Sequence, residues 1–160
     1  MKYLWPALLA GVGIVLGTIM TCIAPFVAVA VLAARTLSSR AALGVVFAMW
    51  LGNQAIGFGF EHYPHDSSTL AWGLAILTTT CALVPVAKRM PTTPFAFVVA
   101  FVAYEGLQYV YALAIHDAGN YTLAIDALVF EGNVLGIAIL GAIRLVLSAG
   151  KRAPSAVRRA

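Results

Sequence analysis

Trp50, Gln54, Gly57 and Glu61 are spaced 0, +4, +7 and +11 along the chain, and Asn53 stands beside them. On a helix that spacing returns all four to nearly one direction. The stripe combines a flat aromatic surface, two carboxamides that donate and accept hydrogen bonds, a carboxylate and a residue with no side chain. Such a set suits non-covalent capture of a small amphipathic molecule: the ring stacks, the amides orient, and Gly57 leaves room for the ligand. The flanking sequence is apolar, so the stripe lies at lipid depth and must face protein or water.

The stripe runs into Glu61-His62-Tyr63-Pro64-His65-Asp66, and His116-Asp117 follows in a later loop. Imidazoles with carboxylates suit a divalent transition metal, and one neutral imidazole can cap a metal already held in a ligand. His62, His65 and His116 are therefore the candidate metal ligands. An ordinary solvated loop explains the same residues, since no tight metal-binding spacing is present.

Two further stretches place polar groups among apolar ones. In YEGLQYVY, Tyr104, Gln108 and Tyr111 share a helical face, with Glu105 and Tyr109 adjacent. A carboxylate at that depth costs at least a few kcal/mol, so Glu105 needs a partner or a wet cavity. Three tyrosines beside it favour a ligand cavity over a hydrogen bond that only joins helices. Downstream, Asp126 and Asn133 share a face, whereas Glu131 points about 140° away from Asp126. Asp126 is assigned to the mouth of the cavity, and Glu131 to a cavity or to another helix.

The elements that must position these residues follow from composition. Hydrophobic residues make up 62% of 160 positions and charged residues 10%, unlike a soluble domain. A hydrocarbon core about 30 Å thick needs roughly 20 apolar residues per helix. The chain reads as an all-α, polytopic membrane bundle of six transmembrane helices, over about 3–18, 22–36, 41–60, 69–87, 94–115 and 122–147. Residues 1–150 form one helical domain and 151–160 a basic cytoplasmic tail. The first two helices are short for spans, but one helix over 3–36 would measure about 50 Å, too long without extreme tilt.

Charge sets the orientation. With six helices, all ten basic residues fall at or near the side that carries both termini, which the excess of Lys and Arg makes cytoplasmic. A five-helix arrangement would move Lys2 to the other side. The net charge of +4 is thus a topology signal and does not point to nucleic acid. Cys22 and Cys81 sit in separate apolar segments and read as small buried residues. Small residues recur four apart at Gly13 and Gly17, Ala24 and Ala28, Ala30 and Ala34, and Gly132 and Gly136, a spacing for close helix packing within the bundle. The sequence has no GxxxxGK[ST] loop, no histidine inside a helix and no hydrolase or zinc-protease pattern, so it reads as neither an ATPase, a haem bundle nor an enzyme. It calls for no cofactor.

Six short helices, both termini inside, an outward-facing aromatic and polar pocket and early small-xxx-small spacing resemble the integral substrate-binding (S) components of energy-coupling-factor vitamin transporters. The resemblance covers architecture along most of the chain. It implies a multi-pass protein of the bacterial inner membrane that captures a vitamin-sized molecule, energised by a coupling subunit and ATPases supplied in trans. Within that class a corrinoid is the first expectation, because the outer histidines could reach a cobalt ion. The ligand would be held by Trp50, Asn53, Gln54, Gly57, Glu61, Tyr104, Glu105, Gln108, Tyr111 and Asp126. The alternative is a structural or assembly subunit that grips a larger membrane complex through its polar helix faces. An ion channel is disfavoured, since one protomer offers no file of acids.

Overall fold

The computed structural model describes residues 3–20, 24–115, 119 and 123–152. It contains six helices: α1 (Leu4–Ile19), α2 (Phe26–Thr36), α3 (Ser39–Gly59), α4 (Ser67–Arg89), α5 (Thr93–Ala114) and α6 (Leu123–Arg152). Their starts are chemically marked. Ser38, Asp66 and Thr92 each accept a hydrogen bond from the backbone N–H three residues on, supplying α3, α4 and α5 with N-caps. Pro94 adds a residue pre-set for the first turn of α5.

The largest departure from the sequence expectation is α2, which begins at Phe26 and has 11 residues. Pro25 is the reason. It carries no N–H and is tolerated at a helix start, whereas in the interior it would break the ladder. The helix is therefore about 16 Å long, half of a hydrocarbon core. Every residue from Phe26 to Ala34 is buried, and α2 packs against all five other helices. Its Val and Ala side chains are small enough for five neighbours to close around it.

Those neighbours form a ring in the order α5, α4, α3, α1, α6. Glycines set the closest approaches. A Cβ on Gly13 would meet Met49 and Val29, one on Gly17 would meet Ala24 and Asn53, and one on Gly136 would lie 2.5 Å from Pro25. The small-residue spacings are thus occupied by contacts inside the bundle. The ring is loosest between α5 and α6, which meet through Phe101 set edge-on against Phe130 at 5.1 Å.

Directions alternate, so one end of the bundle gathers the basic residues. There, Arg35 at the end of α2 donates to the carbonyls of Met90 (2.7 Å) and Pro91 (3.2 Å) between α4 and α5. The Trp5 indole donates to Thr36 (2.8 Å), and the Arg144 guanidinium lies 5.9 Å from the Trp5 ring. We call this the basic end.

Helices α3, α4, α5 and α6 are long and apolar enough to cross a membrane; α1, with 16 residues, and α2 are shorter. Their outer surfaces carry large apolar side chains such as Leu51, Leu74, Val98, Val102 and Leu135. That exterior is the mark of a membrane helical protein. The sixth helix continues to Arg152, two residues beyond the expected domain limit, and 153–160 lie outside the described residues.

Candidate functional site

At the end remote from the basic residues, α3 and α4 enclose two cavities. The two helices are joined where the Trp50 indole N–H donates to the Gly73 carbonyl (2.7 Å). Gly73 permits this approach, because a Cβ there would lie 2.8 Å from the Gln54 carboxamide oxygen. Beyond that junction a cavity of about 110 Å³ is lined by Asn53, Gln54, Tyr63, Thr69, Trp72, Gly73 and Ile76. A second, of about 270 Å³, is lined by Trp50, Gln54, Phe58, Leu70, Gly73 and Leu74. Both present mostly apolar surface; the first has Asn53, Tyr63 and Thr69 in its wall, and the second is an apolar groove.

Asn53 and Gln54 are half-buried, and neither carboxamide makes a hydrogen bond with another described residue. Both sit in the middle of α3, where the helix ladder already satisfies the neighbouring backbone. In a protein interior, buried amides find a partner in the protein or in ordered water. Here they open into a cavity instead. A carboxamide so placed can both donate to and accept from a guest.

Gly57 has a different role from the one its position in the stripe indicated. His62 adopts a left-handed backbone (φ 56°), a region that non-glycine residues seldom occupy. The reversal brings the Tyr63 N–H back to the Gly57 carbonyl (3.0 Å). The Tyr63 ring then lies on Gly57, filling the space where a Cβ would be. The room beside Gly57 is occupied by the protein itself, and Tyr63 becomes a wall of the polar cavity. Glu61 is half-buried at the foot of this turn.

The described residues of the histidine and acid loop make separate contacts. Asp66 caps α4 through the Thr69 N–H (2.7 Å). That bond, with the Thr69 hydroxyl, holds its carboxyl below the ordinary carboxylate value. The His65 ring stacks on Phe58 at 5.1 Å, and His62 is exposed at the turn. Among the described residues no three His, Cys, Asp or Glu side chains are placed to share a metal ion. His116 and Asp117 lie outside the described residues.

On α5, Tyr104 and Gln108 are buried on the inner face with Ala100 and Ala112. Gln108 lies against the Tyr104 hydroxyl, and neither of its amide atoms reaches a hydrogen bond of normal geometry. It stands about 22 Å along α5 from the basic end, beyond the point where α2 begins. Tyr111 turns toward α4, its hydroxyl 2.9 Å from Thr78. Glu105 is half-buried and Tyr109 is exposed. Neither described cavity between α3 and α4 includes a residue of α5. These two cavities do not join the two stripes, although Gln108 is buried inside the bundle.

Helix α6 separates its polar residues by face. Asn133 is buried, accepts from the Ala28 N–H (3.0 Å) and donates to the Val129 carbonyl (2.9 Å). Asp126 is half-buried, with one carboxylate oxygen buried and without a hydrogen-bond partner among the described residues. Glu131 is exposed on the apolar exterior. The wall that sequence reasoning missed is Thr69, Trp72 and Gly73. A glycine beside a tryptophan in an apolar helix is a signal of close approach that could have indicated it.

No family model, curated protein or solved structure matches this chain, so its chemistry is read from its own residues.

Proposed function

We propose that this chain is a membrane-embedded substrate-binding subunit for uptake of a small organic molecule, vitamin-sized or smaller. The observation that carries the reading is the pair of unpartnered carboxamides, Asn53 and Gln54, opening into a polar and aromatic cavity. In an apolar bundle, unused amides are retained where a guest uses them. The basic end faces the cytoplasm by the positive-inside rule, with both termini there, so the cavity opens toward the outside. The membrane is then the bacterial inner membrane. No nucleotide-binding loop is present in the sequence, so energy comes from a coupling subunit and ATPases in trans.

A corrinoid is the member of this class for which the outer histidines matter. Among the described residues His62 and His65 are the imidazoles that could serve it, and a cavity of about 110 Å³ would take no more than a side arm of so large a ring. A smaller ligand fits better. The second reading, an assembly subunit, is favoured by Glu131. A carboxylate on the lipid-facing side of α6 costs a few kcal/mol, which a partner helix would offset.

Native mass spectrometry and an absorption spectrum of protein purified in lipid nanodiscs test the proposal. The wild type is expected to carry a small molecule that Asn53→Leu and Gln54→Leu lose. Identical spectra from wild type and variants would overturn it. For orientation, external thiol reagents should label Ser67→Cys and not Ser155→Cys.

A further inference from the structure

The polar cavity and the apolar groove are two sides of one partition. Gln54 and Gly73 line both of them. Gly73 contributes backbone alone, so Gln54 is the one side chain common to both. No hydrogen bond fastens it, and its long, flexible chain can change rotamer at little cost. On one side of it lies the smaller cavity, and on the other a groove bordered by Leu70 and Leu74, both more than half exposed on the apolar exterior.

From this geometry we infer that the ligand is a neutral single-chain amphipath, which enters sideways from the lipid between α3 and α4. The inference rests on the binding-subunit reading above and names the substrate class of that site. The chain of the ligand occupies the groove against Trp50, Phe58 and Leu74. Its head passes Gln54 into the chamber and meets Asn53, Thr69 and Trp72.

The head is neutral because the chamber is. Each side chain that lines it is uncharged, and the Asp66 carboxylate at the start of α4 is engaged by Thr69. An ionised head would be desolvated there without a counter-charge, whereas a hydroxyl or amide finds donors and acceptors in the carboxamides. The described basic side chains gather at the other end of the bundle, which disfavours a carboxylate or phosphate head further. Size sets the proportions. The smaller cavity suits the head and the larger groove the chain.

The test uses the full chain in nanodiscs with a monoacylglycerol that bears a diazirine in its acyl chain. After irradiation, tandem mass spectrometry is expected to place the label on Phe58, Leu70 or Leu74. Unlabelled monoacylglycerol should compete at least tenfold better than the fatty acid of the same chain length. Gln54→Leu and Asn53→Leu should reduce labelling at least tenfold, as should Leu74→Trp, which fills the groove. Gln54→Asn, the conservative variant, should retain part of it, and thermal melts show that each variant is folded. Labelling spread evenly over the exterior, or competed equally by the fatty acid, overturns the inference. If a short water-soluble polyol or amide binds in an Asn53-dependent way while the chain probe does not, lateral entry fails and the binding-subunit reading survives. If neither binds, both fail.

Discussion

Asn133 on α6 and the pair Asn53 and Gln54 on α3 carry the same carboxamide chemistry within one apolar bundle, yet they are used in opposite ways. Asn133 spends both ends of its amide at home. Its oxygen takes the Ala28 N–H, one of the first-turn donors that α2 cannot satisfy internally, and its nitrogen returns to Val129. Asn53 and Gln54 project from the middle of a long helix whose backbone needs nothing from them. Asn133 satisfies the start of an interrupted helix, whereas Asn53 and Gln54 line a cavity beside an unbroken one. The short α2 creates the first situation, and the cavity between α3 and α4 the second.

Breaking the α2–α6 contact gives the largest expected effect. Gly136→Leu drives a side chain into Pro25 and should destabilise the protein by about 3 kcal/mol or more, read by equilibrium unfolding in mixed micelles. Asn133→Ala comes next. It leaves the buried Ala28 N–H without an acceptor, at a cost of about 1–3 kcal/mol in the same assay. Trp50→Phe removes the 2.7 Å bond to Gly73 and should cost about 1 kcal/mol.

Asn53→Leu and Gln54→Leu sharpen the comparison by doing little. Stability should move by no more than about 0.6 kcal/mol, while the co-purified small molecule is lost. A destabilisation as large as that of Asn133→Ala would put them in the same structural class and remove the contrast. The smallest effect is at Asp66. Its carboxyl is held below the ordinary value of 3.8 by the Thr69 N–H. The cap therefore contributes fully above the unfolded-state value and is lost as pH falls through the lower, folded-state one. The Thr69 amide signal in NMR should shift only in that acid range. In Asp66→Asn, which still accepts from Thr69, the shift should vanish.

Much of the frame was legible from local chemistry. Helices α3, α4 and α5 begin within two residues of the expected starts, and alternating helix direction follows from where Arg35, Lys88 and Arg144 fall. The split between Asp126 with Asn133 inward and Glu131 outward is helical periodicity. These features need only a residue's own neighbours within a few positions. The cavity walls were less legible. Trp50, Asn53 and Gln54 were recognisable as a face, but the expected partner across from them was α5, and the structure supplies α4 through Thr69, Trp72 and Gly73.

Helical spacing determines which side chains share a direction; it carries no information about what stands in that direction. That is decided when distant segments meet. Pro25 is visible in the chain, but α2 becomes the buried axis only because five helices close around it. Gly57 reads as open space until the left-handed His62 folds the Tyr63 ring onto it. Gln54 reads as one polar group in a stripe until Gly73 of α4 brings it between a polar chamber and an apolar groove. The sequence by itself determined an apolar helical bundle with its basic residues at one end and amides on α3, α5 and α6. Which amides were satisfied, and which were left facing a cavity, was decided by tertiary packing, because hydrogen-bond satisfaction depends on the partner that arrives.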